Sequence, residues 1–498
     1  MPSLHRGLRR PPPPARRYPH RTGPGTLTGL GLSLVLLLPF LPGCASASAG
    51  RAGPPAPGET AAPAATVEAA APAATEARIL PSPPPVVADL AARWAEVRVP
   101  GLEDRTFSPE AWWEIVLPLV ESAGPEGRPG PDGAPGTDGP HGWRMEEIGR
   151  SAEGRPLRLL SFGTGPTAVL LWSQMHGDES TASMALADLV HLFATRPGDP
   201  WVREIGQALT LHLFPVMNPD GAARFQRRNA QGVDLNRDAR ALATPEGQAL
   251  KALQERLRPA YGFNLHDQAV GTRVGRTDRG TAIALLAPPF NAEREVNEVR
   301  ARAMELAALI RVALEPRVGG YMARWDDTFN PRAFGDLMQA WGVSTVLIES
   351  GGWEGDPQKQ FLRELNFVAL GTAFDALARG GTGGMDPALY QELPQNGRRF
   401  GDLLLRGATL HAPGVAPLLG DLLVNFDHPL AELGGRIADV GDLAESEARE
   451  ILELRGLHLF VDDLGVGAPA RFRLARDAEG RDVLWRVDVD AGGRRPSP

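Results

Sequence analysis

The chain is poor in several things that would otherwise narrow its role. Cysteine occurs once, at Cys44, in 498 residues, which excludes an internal disulfide in any compartment. Lysine occurs only at Lys251 and Lys359, so arginine carries nearly all the positive charge, a habit of composition rather than a phosphate-binding device. A net charge of -8, a pI near 5.8 and no basic stripe interleaved with aromatics exclude a general nucleic-acid binder. Long uninterrupted apolar runs are missing too. The run "LGLSLVLLLPFLPGC" is short and broken by proline, which argues against a membrane span.

That run has a different use. Arg6, Arg9, Arg10, Arg16, Arg17 and Arg21 precede it and Cys44 ends it, the order of a basic n-region and an apolar h-region in an export signal. "LPGC" resembles a bacterial lipobox, with Pro42 where a small or aliphatic residue is usual. Residues 1–44 are therefore expected to be a signal peptide. The expected location is the bacterial cell envelope or the medium, with membrane contact only through a lipid on Cys44. Residues 45–85 are Ala/Pro-rich with few large apolar side chains, a composition too poor in burial to offset ordering entropy, and they are expected to form a disordered tether. Glycine stands at every third position over 124–142. Six Gly-x-y triplets are too few for a triple helix, so an extended surface loop is expected.

Between about 143 and 380 the pattern changes. "TAVLLWS", "LTLHLFPV", "GFNLH", "TAIALLAP" and "STVLIES" are brief, apolar and bounded by turn residues, which predicts buried strands. Residues 180–194, 291–314 and 357–378 carry helical periodicity, as does "FSPEAWWEIVLPLVE", whose aromatics suit packing. Strands alternating with helices predict an α/β fold: a mixed, mostly parallel sheet with helices on both faces. In such folds functional residues sit beyond the carboxyl ends of strands. After "RGGTGGMD", residues 386–498 hold short alternating runs and predict a small β-rich accessory domain with a helix near 443–455.

Chemistry-bearing residues gather at those strand ends. "SQMHGDES" sets His176 three positions before Glu179, directly after a strand. Alone, His-x-x-Glu is common by chance. A catalytic metal of the zinc type takes three protein ligands and leaves a position open, so another histidine is needed. His191 lies within a helical stretch, His212 within a strand, and His411, His428 and His458 in the C-terminal region. His266 ends "YGFNLH", in the same kind of loop as His176.

Six fragments occur in order: "HGDE", "NPDG" at 218–221, "RRN" at 227–229, "GVDLNRD" at 232–238, "LHD" at 265–267 and "IESGG" at 348–352. Together they resemble the M14 zinc metallocarboxypeptidases, of carboxypeptidase A type, with a catalytic domain over 86–380. The resemblance implies one Zn2+ held by His176, Glu179 and His266, the ligand set for which carboxypeptidase A is itself the standing example. It implies Glu349 as general base toward the metal-activated water. Arg227 would stabilise the oxyanion, and Asn236 and Arg237 would grip the substrate's terminal carboxylate, for which a planar guanidinium is suited. Asn218 and Asp220 of "NPDG" are expected to shape a turn, and Arg224 and Arg228 to be structural or solvated.

Two departures stand out. The family carries a covering tyrosine ahead of the glutamate. Here "YMARWDDTFNPRAFGD" offers Tyr321, upstream of the usual place, with Trp325, Phe329 and Asn330 as alternatives. Asp267 follows His266 where a small residue is common, and could support the metal ligands or alter the pocket. The implied activity is hydrolysis of the C-terminal bond of peptides with a free carboxylate. An amidase or deacylase acting on cell-wall peptides or N-acyl amino acids, and a non-catalytic binding lipoprotein, are the alternatives.

Overall fold

The computed structural model describes residues 80–123, 142–397, 399–426 and 435–487. The expected signal peptide and Cys44, the tether up to residue 79 and nearly all of the 124–142 loop lie outside them. Helix α1 (Val86–Val97) and helix α2 (Pro109–Ser122) come first. Ser108 caps α2, its side chain accepting from the Ala111 amide, as an N-terminal serine does to satisfy an otherwise unpaired donor.

An eight-stranded sheet follows, made of β1 (Arg144–Arg150), β2 (Pro156–Phe162), β3 (Thr167–Ser173), β4 (Leu209–Phe214), β5 (Tyr261–Asp267), β6 (Ile283–Leu286), β7 (Met322–Arg324) and β8 (Ser344–Ser350). Their order is β1-β2-β4-β3-β5-β8-β6-β7. The centre, from β4 through β3 and β5 to β8, is parallel; antiparallel pairings flank it. Central strands read as continuous apolar runs because both faces are covered. Alternate residues of β3 show it: Val169 and Leu171 join one core, Leu170 and Trp172 the other. Side chains that alternate in direction along a strand require two cores here.

Helices α3 (Thr181–Thr195), α7 (Glu298–Val318) and α9 (Gln360–Ala378) supply the first core. Helices α6 (Pro245–Leu257) and α8 (Phe334–Ala340) supply the second, with Leu250, Leu253, Phe334 and Met338. α9 also packs against α1 and against α4 (Pro200–Ala208); α5 (Pro219–Ala222) is a single turn. Inside the first core, the fully buried Arg363 guanidinium pairs with Asp188 at 2.7 and 2.5 Å and donates to the Leu102 and Val99 carbonyls. This fastens the N-terminal segment to α3 and α9.

The second sheet comprises β9 (Gly401–His411), β10 (Leu418–Asn425), β11 (Arg436–Gly441), β12 (Ala448–Glu453), β13 (His458–Val461), β14 (Phe472–Ala475) and β15 (Val483–Val487). It has its own core around Leu405, Leu410, Leu459 and Trp485. The helix expected near 443–455 is not formed. That stretch is β12, parallel to β9, with side chains alternating half-buried and exposed. "AREILE" has good helix formers but also fits a strand of period two, and pairing with a long neighbour decided the outcome. Among the described residues no helix is long and apolar enough to cross a membrane.

Candidate metal centre and cleft

Three strand ends build the site. β3 ends at Ser173, and the chain turns through Gln174, a non-glycine residue at φ 53, into "HGDE". A Cβ on Gly177 would lie 2.1 Å from the Gly221 backbone, so only glycine lets this loop seat on the "NPDG" turn. Asn218 locks the two together: its amide donates to the Met175 carbonyl at 3.2 Å and its oxygen accepts from the Gly221 amide at 2.9 Å. Asp220 accepts from Ser151 and Arg155. Arg224 pairs with Glu153, and Arg228 donates to the Gly232 carbonyl. All four hold loops rather than face the cleft.

His176, Glu179 and His266 come together. His176 Nδ1 lies 2.7 Å from Glu179 Oε1, and His266 Nδ1 lies 2.7 Å from Glu179 Oε2. Their donor atoms all fall within 4.8 Å of one another, and each side chain is buried. Two imidazoles whose same-type nitrogens face one carboxylate are the donor set of a divalent transition-metal site with an open position. His176 is oriented from behind: its Nε2 lies 3.0 Å from Asp234 Oδ1, which turns Nδ1 inward toward Glu179 Oε1, with Arg227 Nη1 3.1 Å away. The residues present thus fit a metal ion.

Electrostatics follow from this packing. Burial would lower His176, but the Glu179 charge and the bonds to Asp234 and Glu179 outweigh it and push it up to about 9. Glu179 is buried, yet the two histidines hold it well below the usual carboxylate range. Burial depresses His266. Glu349 goes the other way. Burial, and then the Glu179 and Asp267 charges, raise it well above the usual range.

Glu349 stands beside His266 in the parallel register of β5 and β8. Its Oε2 is buried and has no hydrogen-bond partner. Arg227 donates from Nη1 to Glu179 Oε1 at 3.2 Å, and from Nε and Nη2 to Asp234 Oδ2 at 3.2 and 3.0 Å. Asn236 is pinned by the Phe334 amide on its oxygen at 3.0 Å, and Arg237 donates to the Asn236 carbonyl. His176, Glu179, Arg227, Asn236, Arg237 and Glu349 line one cavity of about 310 Å3, and His266 lies behind its wall against Glu179. Larger clefts exist, such as one of about 580 Å3 on the second sheet beside His411 and Arg473. Among the described residues, however, the triad is the one grouping of three metal-donor side chains.

Tyr321 is not brought in. Its ring packs edge-on against Trp353 at 5.0 Å and under Arg279, away from the cavity wall. Trp325, Asp326, Thr328 and Asn330 line the wall instead.

Four residues escape the sequence reading. Asp234 is the first aspartate of "GVDLNRD", visible as a motif letter but without a role. Asn264 lies two positions before His266 on the same face of β5; it is buried with both side-chain polar atoms unpartnered. Asp336, in the first turn of α8, is buried on the cavity and pushed up to about 7 by burial. Lys359, at 1% exposure, donates to Asp267, a contact no local pattern announces.

Part of the chain is similar to known carboxypeptidases. Residues 136–271 match the sequence model of the zinc carboxypeptidases, Peptidase_M14; Glu349 lies beyond the match. Carboxypeptidase SOL1 of Arabidopsis thaliana is 33% identical over 102 residues, 19% of this chain and 21% of that protein. Carboxypeptidase E of Caenorhabditis elegans is 34% identical over 115 residues, 19% of this chain and 24% of that protein. The chain thus spans about a quarter or less of the length of these relatives. A solved metallo-carboxypeptidase from Burkholderia cenocepacia aligns at 20% identity and a TM-score of 0.40, over 54% of this chain and 68% of its own. The stretch that carries His176, Glu179, Arg227 and His266 is similar to the M14-type zinc carboxypeptidases.

Proposed function

We propose that the protein is a zinc-dependent carboxypeptidase that removes single C-terminal residues from peptides with a free carboxylate. One observation carries the reading: Glu349, with a buried, unpartnered oxygen, lines the cavity shared by His176 and Glu179 and stands in register with His266. A carboxylate buried without a donor is costly and is kept for use. His176, Glu179 and His266 would hold the ion, which when bound supplies Lewis acidity and eases ionisation of water at the site.

The chain's own side chains account for the rest. Glu349, raised by burial, is matched to take a proton from the attacking water at Oε2 and return it to the leaving amine. Arg227, anchored on Asp234, offers a fixed donor to the developing oxyanion. Arg237 and Asn236 meet the terminal carboxylate, the guanidinium through two parallel donors. Asn264 and Asp336 make the wall beyond them polar, which suits a C-terminal side chain ending in an N–H donor. Export with lipid on Cys44 completes the proposal, supported by the basic segment and apolar run before it. Fatty-acid label on the wild-type protein that persists in Cys44→Ala would refute this part.

The test is mass spectrometry of a peptide pool incubated with the zinc-loaded protein, with C-terminally amidated counterparts and a Glu349→Gln control. Loss of single residues from free-acid peptides only, reduced roughly 100- to 10,000-fold in the control, is expected. Equal trimming of amidated peptides, or none of either, overturns the reading.

A further inference from the structure

Asp267 directly follows His266, and its side chain is buried. Its Oδ2 accepts from Thr181 Oγ1 at 2.7 Å, from Lys359 Nζ at 3.0 Å and from Arg105 Nη2 at 3.4 Å. Both cations have a second contact, and each falls next to another site residue. Lys359 Nζ donates to the Ser350 carbonyl at 2.9 Å, and Ser350 follows Glu349. Arg105 Nη2 donates to the Asp178 carbonyl at 3.0 Å, and Asp178 precedes Glu179. On the far side of Glu179, Ser180 Oγ donates to the Arg105 carbonyl at 2.6 Å. Asp267 is therefore a knot: one cation ties it to the loop of Glu179, the other to the strand end of Glu349.

We propose that Arg105 and Lys359 are positioning residues that fix the spacing of His266, Glu179 and Glu349 through Asp267. The N-terminal segment that supplies Arg105 is on this view a working part of the site. The Lys359 amine is buried and the Arg105 guanidinium is 15% exposed; a buried amine is expensive to desolvate, and stability alone gives no reason to set it and a second cation on one carboxylate oxygen. Lys359 also sits at φ 53, a backbone conformation unfavourable for a side chain with a Cβ. That geometry lets it begin α9 while its amine turns back under the strand ends. The segment carrying Arg105 is docked on the same corner: Arg363 of α9 holds the Val99 and Leu102 carbonyls, and Gln358 accepts from the Arg105 amide. Arg105 itself is not among the residues lining the cavity, so removing it loosens the Glu179 loop and Asp267 without taking away a lining side chain.

The experiment uses the full chain with Arg105→Met, Arg105→Lys and the charge-neutral pair Asp267→Asn/Lys359→Met. The control is Arg93→Met, which breaks ion pairs of α1 with Asp89 and Asp199 away from the site. Zinc affinity by chelator competition, melting temperature, and kcat and KM are measured for each. Arg105→Met and the neutral pair are expected to lose roughly 10- to 100-fold in zinc affinity and a comparable factor in kcat. KM should stay within about threefold if substrate binding is untouched, and Arg105→Lys should recover part of the loss. Wild-type zinc affinity and kcat in the folded neutral pair or in Arg105→Met overturn the proposal. So do losses matched by Arg93→Met, which would mark a merely structural role. The kcat readout rests on the carboxypeptidase reading. If the wild-type protein cleaves no peptide, that reading fails, and the zinc affinities alone decide the positioning role.

Discussion

Replacing Asp234 by asparagine changes one atom and tests how the centre is oriented. Asp234 serves two side chains: Oδ1 lies 3.0 Å from His176 Nε2, and Oδ2 accepts twice from Arg227. Oδ1 also accepts from the Asn236 amide at 3.0 Å. Despite partial burial, the bond and charge of His176 and then those of Arg227 hold Asp234 below the usual carboxylate range. In Asp234→Asn the amide nitrogen must face either the guanidinium, setting donors against donors, or the imidazole, which favours the wrong tautomer. One charge-assisted contact is lost in either case, about 1.5–3 kcal/mol. At about 1.4 kcal/mol per tenfold, this corresponds to a loss of roughly 10- to 100-fold in zinc affinity, the range seen when outer-shell partners are removed. Competition against a chromophoric chelator at fixed pH measures it, with circular dichroism to establish the fold. At saturating zinc, kcat/KM should stay depressed, because Arg227 has lost its anchor. A folded Asp234→Asn protein that binds zinc within twofold of wild type refutes the reasoning.

Two further predictions concern pH. Burial, with the Arg144 and Arg256 charges, lowers His212 to about 4, while its Nδ1 lies 2.8 Å from Ser161 Oγ. A depressed histidine favours the neutral form in the folded state. Its contribution is therefore complete above pH 6.5 and is lost as pH falls toward 4, at up to about 1.4 kcal/mol per unit and roughly 3 kcal/mol in all. Urea midpoints between pH 7 and 4 should fall less steeply for His212→Asn than for wild type, and parallel curves would contradict this. Asp336, up at about 7 through burial, is mostly neutral at pH 6 and mostly ionised at pH 8. The kcat/KM for a peptide ending in lysine, relative to leucine, should rise several-fold over that range, and Asp336→Leu should flatten the rise. A flat wild-type ratio rules Asp336 out as a determinant of preference.

What the sequence discloses and what it hides divides along one physical line. His176, Glu179, His266 and Glu349 are legible because strand-end geometry and ligand chemistry leave local marks: an apolar run, then a donor, at the carboxyl end of a strand. β12 misleads for the complementary reason. "AREILE" suits either period, and only its neighbour β9 chose between them. Chain position relative to Glu349 offers Tyr321, but its ring is claimed by Trp353, a contact set by folding and not by spacing. Arg105, Lys359 and Asp267 lie furthest from legibility. They are separated by up to 254 positions in the chain, yet two cations meet one oxygen. Nothing in the neighbourhood of Lys359 sets it apart from Lys251, which is 20% exposed and pairs with Glu255 one helical turn on. Full burial makes one lysine a strut under the strand ends, while the other stays part-exposed among Glu255, Gln254 and the Trp341 ring. In a chain that uses lysine only twice, that burial is therefore the strongest single reason to test Lys359 by mutation.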